Sequence, residues 1–374
     1  MTDKKKTSQD SYKPDWVPEN AGQEFATKVV KGKRITGKTE KRQGAKKLRT
    51  LSVDEYVSGV LKCDRTITAR TITLIESNSQ EHFEKSQEVL KRLLPYSGKS
   101  LRIGISGIPG AGKSTLIETL GCDLIRKGYK LAVLTVDPSS SVSKGSILGD
   151  KVRMEKLSRE ENCFIRPSPS GGILGGVARK TRETITVCEA AGFDIVLIET
   201  MGVGQSEITV RSMVDFFLLV LISGGGDELQ GIKRGVMEIS DAVAINKADG
   251  DNLEKAKLSQ TEYSLALKYI KPITRDWEPK CYLCSALTGY GVDNLWEEVK
   301  KFEKITKQSG SFEERRKAQS LEWVFTIIEE NLKENFYNDK AVQKEITKIT
   351  SLIQKGEILP TSAAEKLLHT YYKK

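Results

Sequence analysis

Histidine is almost missing from this chain of 374 residues, with only His82 and His369 present. Cysteine is also sparse: Cys63, Cys122, Cys163 and Cys188 stand alone, and Cys281 and Cys284 form one CxxC with no second pair and no histidine beside it. A structural zinc site takes about four ligands, so the CxxC reads as two buried thiols. No run approaches the ~18 apolar residues of a membrane-spanning helix, which predicts a soluble protein without a membrane span. The opening MTDKKKTSQD has no apolar stretch, and Asp3 and Asp10 are unlike an acid-poor transit peptide. Six cysteines in such a chain do not suggest a disulfide framework, and a cytoplasmic location is expected.

Charge is unevenly placed. Lys plus Arg total 60 against 50 Asp plus Glu, a net +10, yet residues 1–50 alone hold 14 basic and 6 acidic side chains. The basicity belongs to this segment and not to a folded face, so nucleic acid is not the expected partner. With Tyr12, Trp16 and Phe25 as its bulky residues, the segment reads as a disordered, solvated tail. An arm for RNA or an acidic partner is the alternative.

The length suits one large α/β domain with extensions, or two to three smaller units. Ser52-Val53-Asp54-Glu55 has capping-box spacing and predicts a helix start. Residues 66–76, TITARTITLIE, suit a strand by β-branching and a helix by the spacing of Ile67, Ile72 and Ile75. Phe83, Val89, Leu90, Leu93 and Leu94 form one helix face, ending near Pro95 and Gly98. From Leu101 onward come continuous apolar runs at 102–106, 131–137, 194–200, 216–223, 242–246 and 281–286. Unbroken apolarity predicts strands covered on both faces, hence a doubly wound, mostly parallel α/β sheet. After about Gly310 the strands stop. Leu321, Phe325, Ile328, Leu332 and Phe336, then Val342, Ile346, Ile349 and Ile353, step as two amphipathic helices. Leu359-Pro360 breaks the chain before a final short helix. These helices either pack on their own sheet or pair with a second copy. The expected units are a tail 1–50, an N-terminal helical extension 51–99, a nucleotide-binding domain 100–308 and a C-terminal helical extension 309–374.

The strongest motif is Gly107-Ile-Pro-Gly110-Ala111-Gly112-Lys113-Ser114, which meets G-x-x-x-x-G-K-[ST] between a strand and a helix. Its glycines turn backbone amides onto phosphates, Lys113 neutralises the β- and γ-phosphates, and Ser114 offers a hydroxyl to Mg²⁺. Asn246-Lys247-Ala248-Asp249 closes a later strand. A carboxylate at Asp249 accepts two N–H groups from the guanine edge, Lys247 lies along the base, and Ser285-Ala286-Leu287 supplies a backbone N–H for guanine O6. Together they favour GTP over ATP. Between these segments, Glu199-Thr-Met-Gly202 brings an acid and a glycine to the place of a γ-phosphate and its Mg²⁺. Asp137 and Asp150 are further metal candidates, although Mg²⁺ takes only one or two protein carboxylates. Val203 stands where Ras-like enzymes carry a catalytic glutamine, and Gln205 follows two residues later, so slow intrinsic hydrolysis is expected. Lys233, Arg153 and Arg179 are the cationic candidates.

GISGIPGAGKST, LTVDPSSS, GDKVRM, IRPSPSGGILGGVARKT, IETMGVGQSE, GGGDELQGIK and NKAD together resemble the MeaB, ArgK and MMAA group of GTPases, over about residues 51–335. The resemblance implies a GTPase chaperone of adenosylcobalamin-dependent methylmalonyl-CoA mutase. Its partner would be an acyl-CoA mutase, its cofactors GTP or GDP with Mg²⁺, and adenosylcobalamin would be met only through the client. By position, Gly107 to Thr115 form the phosphate loop, Asp137 and Asp150 fall in a first switch, and Glu199 with Gly202 to Glu207 form a second. Gly224 to Lys233 match a further switch, making Lys233 a catalytic or signalling candidate. The C-terminal extension is implied to be a homodimerisation element. The rival readings are a metallochaperone GTPase, which this chain equips poorly with soft or imidazole ligands, and a small-molecule kinase, against which NKAD argues.

Overall fold

In the computed structural model, the described residues are 49–136, 154–167, 174–200, 206–224 and 234–372. The chain opens with three helices, α1 (Val53–Leu61), α2 (Arg65–Glu76) and α3 (Gln80–Leu93). The capping box is formed at α1: Ser52 Oγ accepts from Glu55 N at 3.2 Å, and Ser52 N donates to Glu55 Oε2 at 2.7 Å. The ambiguous TITARTITLIE is helical. Asp64 accepts from the amides of Thr66 and Ile67, satisfying two donors at the helix start, and Ile72 and Ile75 are buried on one face.

The α/β core alternates β1 (Leu101–Gly107), α4 (Lys113–Arg126), β2 (Leu131–Val136), α5 (Glu155–Arg159), β3 (Cys163–Pro167), α6 (Leu174–Ala190), β4 (Ile195–Thr200), α7 (Ser206–Arg211), β5 (Phe216–Ile222), α8 (Arg234–Glu238), β6 (Ala242–Asn246), α9 (Leu253–Lys268) and β7 (Lys280–Leu283). The seven strands pair in the order β3-β2-β4-β1-β5-β6-β7, and each pairing is parallel. The doubly wound architecture expected from the apolar runs is therefore present. One strand escaped that reading: β3 is five residues long, lies at the sheet edge, leaves Ile165 and Arg166 half-buried and ends in Pro167. Short, partly polar and proline-bounded strands belong at edges. The two sheet faces bury different sets, Ile103, Ile105, Leu116 and Trp296 on one side and Ile72, Val196, Ile198 and Phe217 on the other.

An aspartate precedes each of β4, β5 and β6, and each accepts the amide of the neighbouring strand's approach or start: Lys130 N to Asp194, Arg102 N to Asp215 and Phe217 N to Asp241, at 2.8 to 2.9 Å. Two of these acids also hold the C-terminal helices. After α10 (Val292–Ser309), α11 (Ser311–Asn338) begins with adjacent arginines. Arg316 clasps Asp215 through Nε at 2.7 Å and Nη2 at 2.6 Å, and Arg315 lies 3.5 Å from Asp241. Asp215→Ala strands these donors in a site where the acid is only 1% exposed. The expected loss is about 3–5 kcal/mol, measured by urea unfolding.

Beyond Gln319 one face of the helix is open, while Trp323 still packs against the core. Leu321, Phe325, Ile328 and Leu332, the row that predicted this helix, are 63%, 64%, 47% and 58% exposed. α12 (Lys340–Gln354) and α13 (Pro360–Tyr372) complete the extension, with Val342, Ile349 and Ala363 buried. No helix among the described residues is long and apolar enough to cross a membrane.

Candidate nucleotide site

β1 delivers the phosphate loop to the carboxyl edge of the sheet, where open α/β sheets bind ligands. Gly107 has φ +149°, and a Cβ there would lie 2.0 Å from Val220 O on β5. Gly112 has φ +85°, and a Cβ there would lie 2.6 Å from Asn246 Nδ2. Only a bare backbone passes at these points. Gly112→Ala meets both the clash and the left-handed backbone, so a loss of about 2 kcal/mol and weakened nucleotide binding are expected, measured by thermal unfolding with and without GDP.

Lys113 begins α4, only 7% exposed, and donates to Gly107 O at 2.7 Å and Ile108 O at 3.1 Å. Ala111 is buried, while Thr115 faces solvent and Gly110 adopts φ +80°. Ser114 Oγ donates to Glu199 Oε1 at 2.8 Å. Glu199 reaches this place because β4 sets it opposite both Ile105 of β1 and Thr135 of β2. A hydroxyl beside a buried carboxylate is a hard oxygen donor set of the kind Mg²⁺ takes.

Asn246 ties the two halves of the site together. Its Nδ2 donates to Ala111 O at 2.7 Å and its Oδ1 accepts from Ala286 N at 2.9 Å. Ser285 Oγ donates to Asp249 Oδ2. Lys247 is exposed with φ +60°, and Leu287 is 83% exposed. The amides of Ser285 and Ala286 are given to Tyr290 O and Asn246 Oδ1.

Three supports had no signal in the sequence. Thr119 Oγ1 donates to Ala286 O at 2.6 Å, Asn252 Nδ2 to Lys247 O at 2.7 Å, and Ser223 Oγ to Asn252 Oδ1 at 2.7 Å. They brace loops that meet only in the fold, and isolated polar residues in ordinary helical or turn sequence do not announce this. Asp137, Asp150, Arg153, Gly202, Val203, Gln205 and Lys233 lie outside the described residues. Arg179 is not brought to the phosphate loop; it lies over the Phe83 ring, 4.8 Å from its centroid, beside Glu183, because this stretch of α6 packs against α3. Cys281 and Cys284 are buried, which pushes both thiols up to about 12. Among the described residues no three metal-capable side chains cluster.

Residues 68–341 match the family model described as methylmalonyl Co-A mutase-associated GTPase MeaB. The chain belongs to the MeaB family. It is 47% identical over 321 residues to a protein named as a GTPase from Caulobacter vibrioides, covering 86% of this chain and 98% of that one. Over 329 residues it is 44% identical to the methylmalonic aciduria type A homolog, mitochondrial, of Mus musculus, covering 85% and 79%. The crystal structure of LAO/AO transport system kinase superposes with a TM-score of 0.71 at 34% identity, covering 85% of this chain and 96% of that chain. Like its MeaB relatives, the chain is a GTPase.

Proposed function

We propose that this GTPase is a nucleotide-switched chaperone for an adenosylcobalamin-dependent acyl-CoA mutase of the methylmalonyl-CoA type, gating cofactor loading and protecting the client. The observation that carries the reading is Asn246, which fastens the phosphate loop to the base-reading loop, in a chain whose family is described by its association with that mutase. Phosphates sit at the α4 N-terminus, where unpaired amides and the helix dipole favour negative charge. Lys113 is already oriented there by two loop carbonyls. Ser114 and Glu199 are the described residues that would hold Mg²⁺, whose chemistry is to neutralise phosphate charge. Asp137 and Asp150 are proposed to join them, and Lys233 to supply cationic stabilisation. Asp249 and the Leu287 amide read the guanine edge.

Hydrolysis is proposed to be slow alone and accelerated by the mutase, because much of the catalytic set lies in switch segments. The open row Leu321, Phe325, Ile328 and Leu332 is an apolar stripe of the kind that marks association, and is proposed as a homodimer contact. A cytoplasmic location suits six free cysteines.

The test is GTP and ATP hydrolysis by the purified chain with and without the mutase. GTP-specific turnover rising at least about tenfold with the mutase is expected. Turnover indifferent to every such mutase sinks the client assignment, and a preference for ATP overturns the base reading. Phe325→Glu is expected to yield a folded monomer by light scattering.

A further inference from the structure

A cavity of about 470 Å³ lies at the opposite, amino edge of the sheet, between α7, the approaches to β6 and β7, and the first turns of α11. The strands separate it from the phosphate loop by about 20 Å at ~3.3 Å per residue. Its volume falls in the range of small-molecule sites. Ile208, Ile239 and Ile273 form apolar walls, with Arg211, Arg275 and Arg315 as cations and Glu314 and Glu322 as acids. Ile208 is 66% exposed and Ile273 55%, so this apolar surface is open to a ligand.

Arg211 is the weakly partnered charge of this wall. Arg211 and Arg315 both approach one acid, Asp241, at 3.5 Å. Asp241 already accepts the Phe217 amide and the Thr274 hydroxyl. Arg211 is only 8% exposed, and its Nε–H has no hydrogen-bond partner. Its Nη2 makes only 3.5 Å contacts, to Asp241 and Thr274. Burial pushes this guanidinium below its ordinary range, with Asp241 opposing. Arg315 is also held by the Asp215 carbonyl and the Thr274 hydroxyl, so the donor left unmet is the buried Nε–H of Arg211, where an unpaired donor is costly. A carboxylate is the acceptor whose geometry matches an arginine fork. Arg275 joins the cationic side and Glu314 and Glu322 stand on the lining, and these acids favour a monoanion over a polyphosphate.

We propose that this cavity binds a small aliphatic carboxylate, its anionic head toward Arg211 and Arg315 and its hydrocarbon on the three isoleucines. The ligand would bridge α7 and α11. Hexanoate is the probe, titrated by calorimetry into the full chain loaded with GDP so that the phosphate loop is filled. Hexylammonium and hexanol of equal length are the controls.

Saturable one-to-one binding with a dissociation constant on the order of 1 mM is expected, with neither control competing. Ile273→Glu, at an exposed rim position, is expected to weaken hexanoate at least about tenfold, and Glu314→Gln to tighten it about twofold; unchanged melting temperatures show that both variants fold. The absence of saturable binding, equal binding of hexanol or hexylammonium, or affinity indifferent to Ile273→Glu overturns the proposal. So does a change of oligomeric state in Ile273→Glu without hexanoate binding, which assigns the groove to a protein contact.

Discussion

Asp249→Asn is expected to lower GTP affinity by about 10⁴-fold, since a site built to pair with particular donors rejects a partner that cannot satisfy it. In the proposed base-reading role the carboxylate would offer acceptors to the two N–H groups of the guanine edge. An amide turns one of those acceptors into a donor and sets it against a donor on the base. The same change suits xanthine, whose exocyclic group is an oxygen, so xanthosine triphosphate should gain while guanosine triphosphate loses. The loop itself survives, because Asn retains an oxygen for the Ser285 hydroxyl that now bonds Asp249. Competition against a fluorescent GDP analogue measures both affinities. Unchanged GTP binding would remove Asp249 from the base-reading role.

Lys113→Ala carries the second large effect, an expected fall of about 10³-fold in single-turnover phosphate release at saturating GTP. The ammonium is buried at the start of α4 and bonded to the carbonyls of Gly107 and Ile108, so it costs little reorganisation when phosphate charge arrives. Alanine removes the charge and leaves those carbonyls without their partner. Lys113→Arg is expected to rescue poorly: a planar fork does not fit a seat shaped around a compact ammonium. Circular dichroism should show the native helix content in both variants, and hydrolysis near the parent rate in Lys113→Ala would refute the role.

Much of this architecture is legible in the order of the residues, for local physical reasons. β1, β2, β4, β5 and β6 are buried almost throughout, and burial on both faces writes itself as unbroken Val, Ile and Leu. The Ser52 capping box spans four residues, so its two hydrogen bonds could be inferred from spacing. The phosphate loop is legible because its glycines answer constraints that no other residue meets. β3 was silent because its five residues, CFIRP, end in an arginine and a proline that break the apolar run. TITARTITLIE was undecidable from periodicity, and the Asp64 cap decided it. Thr119, Ser223 and Asn252 were beyond reach because their partners lie 29 or more residues away in two of the three cases, and the third acts through an unremarkable turn. The same holds for Asp215 and Asp241, whose arginines come from α11, 101 and 74 residues later.

The exposed reach of α11 has mechanical consequences. The helix is held at its beginning by Arg315 and Arg316, and Trp323 rests on Arg182, 4.8 Å from its ring centroid. About fifteen residues follow, or about 22 Å of helix at 1.5 Å per residue. A tilt of about 10° about Trp323 therefore displaces the far end by about 4 Å at that length. Two adjacent arginines on two strand-leading aspartates thus set the angle of the helix at the foot of the sheet, and any difference in that angle is magnified at its tip.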